Sequence, residues 1–128
     1  MRVVFLLISL AIISACSDTA TQTSPNGPAF VPVTDAAAFN ASLVDQRFEG
    51  IEQPEVWFQF NSDGTMVGNL RRGTVTGTWE FEDGYWCREF EAGGTASPYD
   101  CQTVELADDL VRFTRNRGQG DAGVYKLN

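Results

Sequence analysis

The alternation of apolar and polar residues divides the chain into four stretches. Val3 to Ile13 is an unbroken apolar block of eleven residues with one Ser. From Ser17 to Pro32, 12 of 16 residues are Ser, Thr, Asp, Asn, Gln, Gly or Pro, and no period is visible. Thr34 and Asp35 then precede AAAFNASLV, where Ala36, Phe39 and Leu43 share one helical face. The spacing predicts a short helix whose first amides are capped by Thr34 or Asp35. Beyond it the period changes to two. Strands are predicted near Gln46–Glu49, Glu55–Phe60, Thr65–Arg71, Thr74–Phe81, Tyr85–Glu91, Cys101–Ala107, Leu110–Thr114 and Val124–Leu127.

Turn residues separate these strands at short intervals: Asn61-Ser62-Asp63-Gly64, Arg72-Gly73, Asp83-Gly84, Gly93-Gly94, Asp108-Asp109 and Arg117-Gly118-Gln119-Gly120. Such short links join antiparallel neighbours. The expected fold is mainly β: a small antiparallel meander barrel of about eight strands, lipocalin-like, with one short N-terminal helix. A strongly curved open sheet against the helix is the alternative. Val75, Gly77, Trp79 and Phe81 fall on one face and form its core, met by Met66, Gly68 and Leu70. Gly68 and Gly77 permit close backbone approach or bending.

The apolar block is too short to span a bilayer, which takes roughly 20 residues. With Arg2 before it, it has the form of a secretory signal. It ends in Ile13-Ser14-Ala15-Cys16, which resembles the lipobox of bacterial lipoproteins. The resemblance implies cleavage before Cys16, so that residues 1–15 are the signal peptide and Cys16 is lipidated. Two or three acyl chains make a stable membrane anchor where one does not. The competing reading is an ordinary signal peptide with Cys16 after the cut. Ser17 in the following position points to the outer membrane, periplasmic face. Residues 16–32 then form a flexible tether reaching roughly 20–25 Å, and residues 33–128 the folded domain.

Composition narrows the function. With 17 acidic and 9 basic residues the net charge is −8, which argues against nucleic acid as a partner. The chain has no His, so the commonest general base, the usual triads and most zinc sites are absent. No enzyme, no metal and no cofactor are expected. Cys87 and Cys101 lie 14 positions apart on adjacent strands and suit a disulfide in an oxidising compartment, with a redox pair as the rival. Their polar companions (Tyr85, Glu89 and Glu91; Thr103 and Glu105) put the bridge on the outer face.

The opposite face of those strands carries Trp86, Arg88 and Phe90 beside Gln102, Val104 and Leu106. A guanidinium facing a barrel interior needs a partner, solvent or a ligand. Arg88 is either an anion-holding group in an aromatic pocket, with Gln102 as helper, or one half of an internal ion pair with Glu80, Glu82 or Asp121. Trp79, Trp86, Arg88, Phe90 and Gln102 are therefore the ligand-binding candidates. Arg115, Arg117, Gly118 and Gly120 form a second candidate, a loop that could cradle an anion. Otherwise it is a plain hairpin loop. Asn61-Ser62-Asp63-Gly64 has too few ligands for a calcium loop and reads as a turn. Glu80, Glu82, Asp83, Glu89 and Glu91 form an acidic patch, best explained as solvated surface, with weak divalent-cation binding as the alternative.

The stretch from Gly77 to Leu127 also resembles a group of small secreted proteins of marine alphaproteobacteria. The shared pattern falls on Gly77, Trp79, Asp83, Gly84, Tyr85, Cys87 and Arg88, then Pro98, Tyr99, Cys101 and Gln102. It continues through Arg112, Phe113 and Thr114 to Arg117, Gly118, Gly120 and Asp121. Some members carry the label dihydrodipicolinate reductase. Such a reductase resembles a dinucleotide-binding domain with a glycine-rich turn, paired histidines and a lysine. Here Lys126 is the sole lysine and the turn is missing, so the residues do not support that chemistry.

Two function classes remain. The first is a non-enzymatic lipoprotein whose barrel binds a small or amphipathic ligand. The second is a protein-interaction or inhibitor module of the cell envelope, steered to a basic partner by its acidic charge. A cavity lined by Trp86, Arg88 and Phe90 favours the first. A solid core with a flat acidic or aromatic patch favours the second.

Overall fold

A computed structural model describes residues 27–128. The expected signal peptide, Cys16 and most of the expected tether lie outside the described residues. The elements run β1 (Val31–Pro32), α1 (Ala36–Leu43), β2 (Arg47–Gly50), β3 (Trp57–Phe60), β4 (Thr65–Leu70) and β5 (Gly73–Glu82). They continue with β6 (Tyr85–Ala92), β7 (Thr95–Ala107), β8 (Leu110–Thr114), the turn α2 (Arg115–Gly118) and β9 (Ala122–Leu127). Every ladder is antiparallel. The order β7-β6-β5-β4-β3-β2-β9-β8 returns to β7, because β8 also pairs with β7, so eight strands close into a barrel. The meander barrel is what the short turns demanded.

Closure gives the barrel two distinct ends. One carries the β3–β4, β5–β6 and β7–β8 turns and is plugged by α1. Asp35 Oδ1 accepts a hydrogen bond from the Ala38 amide at 2.8 Å and starts the helix. Phe39 and Leu43 are fully buried, and the Phe39 ring lies 4.6 Å from Phe81 and 5.4 Å from Trp79. The other end carries the β2–β3, β4–β5, β6–β7 and β8–β9 turns, and among the described residues no helix of α1's kind covers it. Between the two ends Phe48, Phe60, Met66, Val75, Val104 and Val111 fill the interior.

The inward set anticipated from the alternation is the observed one, with Val75 and Met66 fully buried. Gly77 explains itself by crowding. A Cβ there would strike the Glu89 carbonyl oxygen and lie 2.5 Å from the Phe90 Cβ across the ladder. The strand pair β5–β6 can approach and coil only because that atom is missing.

Two boundaries differ from expectation. β7 begins at Thr95, six residues before the predicted Cys101. Pro98 sits in a β-bulge: Arg88 pairs with Asp100 while Phe90 pairs with Ser97, so Pro98 and Tyr99 together oppose Glu89. A bulge is one of the few places where a strand tolerates proline. The folded part also starts before residue 33. Val31 and Pro32 pair with Leu106 and Glu105, continuing the sheet past the start of β6. Phe30 lies 4.1 Å beneath the Arg112 guanidinium, which is itself held by Glu105 at 2.7 and 2.8 Å.

Candidate functional site

The uncovered end of the barrel leads into a cavity of about 350 Å³. Its wall is aromatic: Phe48, Phe58, Trp86, Phe90, Phe113 and Tyr125 all face it, from β2, β3, β6, β8 and β9. Period-two alternation on five strands aims these rings at one volume, which explains why they are scattered in sequence. The polar groups at the cavity are few: Arg88 and Gln102 from the strands, and Arg115 and Asp121 from the β8–β9 turn. An apolar pocket with a small number of placed polar groups is the usual form of a small-molecule site.

Arg88 is only 4% exposed, and its environment is built by the bulge. Its Nη1 donates to the Pro98 carbonyl at 2.7 Å, and Nη2 lies 3.7 Å from Asp100 Oδ2. Its guanidinium carbon is 4.9 Å from the centre of the Phe90 ring. The internal ion pair therefore exists, but its acid is Asp100 and none of Glu80, Glu82 or Asp121. Burial pulls the Arg88 pKa below the ordinary guanidinium range. Asp100 opposes that shift and the nearby charge of Arg115 adds to it.

Asp100 is the residue that the sequence reading missed. Its Oδ2 also accepts from Gln102 Nε2 at 2.9 Å, and its Oδ1 accepts from the Asn116 amide at 3.0 Å. One carboxylate thus ties Arg88, Gln102 and the β8–β9 turn together. The signal was present: Asp100 and Gln102 are two apart and share a face once β7 is extended past Pro98. Asn116 and Arg117 have φ of 50° and 53°, a left-handed pair that the bond from Asn116 to Asp100 helps to hold.

The candidates separate as follows. Trp86, Arg88, Phe90 and Gln102 line the cavity together. Trp79 does not. It faces inward at the α1 end, where its Nε1 donates to the carbonyls of Asn61 and Thr65, each at 3.0 Å. The candidates of the Arg115–Gly120 loop do not converge on one point. Arg115 turns to the cavity, whereas Arg117 lies over the Tyr85 ring at 4.9 Å. Gly118 packs on Thr103, and Gly120 packs on Arg115 itself. The amides of Arg115, Asn116, Gln119 and Gly120 already bond to Asp121, Asp100, Asn116 and Arg115, so those donors are engaged within the fold.

The Cys87–Cys101 disulfide joins directly opposed residues of β6 and β7, with Cα atoms 4.0 Å apart. It alternates with the inward Trp86, Arg88 and Gln102 and so faces outward. The Tyr99 hydroxyl reaches over it, 3.5 Å from Cys101 Sγ, and donates to Glu80 Oε1 at 2.9 Å. The bridge thus locks the two strands immediately beside Arg88 and Asp100. In the β3–β4 turn, Asp63 accepts from the Thr65 hydroxyl and amide, which holds its carboxyl below the usual value and marks a turn built for its own closure.

The structure defines a class: a small closed eight-stranded antiparallel barrel, plugged at one end by a helix and hollow at the other. No protein-family description, curated protein or solved structure matches the chain.

Proposed function

We propose that this protein is a non-enzymatic small-ligand-binding barrel, held by an acylated Cys16 at the periplasmic face of the outer membrane. The observation that carries the binding reading is the aromatic cavity with the buried Arg88 at its side. A barrel serving only as a rigid interaction surface gains nothing from an unfilled interior, since voids forfeit packing energy. The chain supplies no His for acid–base work, and among the described residues Asp121 is the one carboxylate on the cavity wall. Binding without turnover suits that inventory. The anchoring reading rests on the sequence Ile13-Ser14-Ala15-Cys16, and the disulfide is consistent with an oxidising compartment.

Native mass spectrometry of the chain, purified from its own envelope without denaturation, tests the binding reading. A mass excess that disappears on unfolding is expected, and a bare polypeptide mass counts against it. Metabolic labelling with palmitate tests the anchor: Cys16→Ala should abolish the label and free the protein from the membrane fraction. Retention of the label in that variant would overturn the anchoring reading.

A further inference from the structure

Arg88 is matched by groups of the fold, but the other cation lining the cavity is not. Arg115, exposed in the β8–β9 turn, forms no ion pair among the described residues.

The charges converge as well. Arg115, Arg88 and Tyr125 line the same cavity, and burial raises the Tyr125 pKa, so its hydroxyl stays a donor. Two guanidinium groups facing one volume repel each other, and an anion between them relieves that repulsion. Asp100 stands behind Arg88 and is engaged by Gln102 and Asn116. Asp121 also lines the cavity, yet lies outside ion-pair distance of both arginines.

We propose that the cavity takes an organic monocarboxylate. Its carboxylate sits between Arg115 and Arg88, and its apolar part lies among Phe48, Phe58, Phe90 and Phe113. This inference rests on the binding reading above and assigns the ligand's chemistry. At about 350 Å³ the cavity is near the small end of ligand sites, which run from about 300 to 1,000 Å³. It holds a single ring or a short acyl chain, and a two-chain lipid is too large.

The test is calorimetric titration of the full chain in lipid nanodiscs, with empty nanodiscs as the blank. The probes are 3-phenylpropionate and hexanoate, each paired with its alcohol, 3-phenylpropan-1-ol and hexan-1-ol. At least one acid should bind ten-fold or more tighter than its alcohol. Arg115→Gln should remove most of that preference by weakening the acid far more than the alcohol. The variant keeps its fold because the backbone N–H and C=O of Arg115, which bond to Asp121 and Gly120, close the loop. Alcohols binding as well as acids would overturn the carboxylate inference and leave the binding reading standing. Acid preference surviving in Arg115→Gln would overturn the placement of the head group. Failure of all four probes would overturn this inference, and an accompanying bare native mass would remove the binding reading with it.

Discussion

Replacing Asp100 by Ala should be far more damaging than its partial exposure suggests. The substitution strips Arg88 of its counter-charge while leaving the guanidinium 4% exposed, with the Pro98 carbonyl as its remaining close partner. It also orphans Gln102 Nε2 and the Asn116 amide. Removing one partner of a buried ion pair costs about 3–5 kcal/mol. Asp100 is a fifth exposed and the pair is 3.7 Å apart, so the low end, about 3 kcal/mol, is expected. For a domain of this size that corresponds to a fall in Tm of roughly 12–24 °C. Arg88→Met should cost less, because Asp100 keeps two hydrogen bonds and reaches solvent. The double variant Arg88→Met/Asp100→Ala should then be more stable than Asp100→Ala alone, since no unpaired buried charge remains. Urea unfolding of the four proteins, followed by tryptophan fluorescence, measures the cycle. A double variant less stable than Asp100→Ala, or an Asp100→Ala cost below about 1 kcal/mol, would refute the argument that the buried guanidinium dominates.

Other outcomes follow from the same structure. Replacing Cys87 and Cys101 by Ala releases a loop of 14-residue separation and should lower stability by about 3 kcal/mol, measured by urea denaturation. Gly77→Ala should destabilise by at least about 1–3 kcal/mol in the same assay, because its Cβ meets the Glu89 carbonyl and the Phe90 Cβ with no room to shift. A thermal shift under 2 °C, taken as roughly the effect of a few tenths of a kcal/mol, would count against that crowding. Burial raises the Tyr125 pKa above its ordinary 10.0, with Arg115 and Arg88 pulling it back. The folded chain then keeps a proton that the unfolded chain releases. Its stability contribution is intact below pH 10 and declines as the pH rises from there through the folded value. Spectrophotometric titration of phenolate against Tyr125→Phe checks this, and a Tyr125 that ionises below pH 10 would contradict it.

Much of this architecture was local information. Period-two alternation together with turn residues every few positions dictates short antiparallel strands, because side chains on a strand alternate faces and tight turns reverse it. The same parity put Trp86, Arg88, Phe90 and Gln102 on one face and the two cysteines on the other, as found. Charge, the absence of His and the Cys16 segment are likewise properties of the chain alone. What the tertiary structure decided was non-local. Closure of β8 onto β7 depends on the summed twist of eight strands, which no single segment carries. The split between Trp79, packed near α1, and Trp86, on the cavity wall, depends on which end the helix plugs. The bulge at Pro98 shifted β7 by one residue against β6 and made Asp100 the partner of Arg88. The chain offers several carboxylates, and only the register of the closed barrel could select among them.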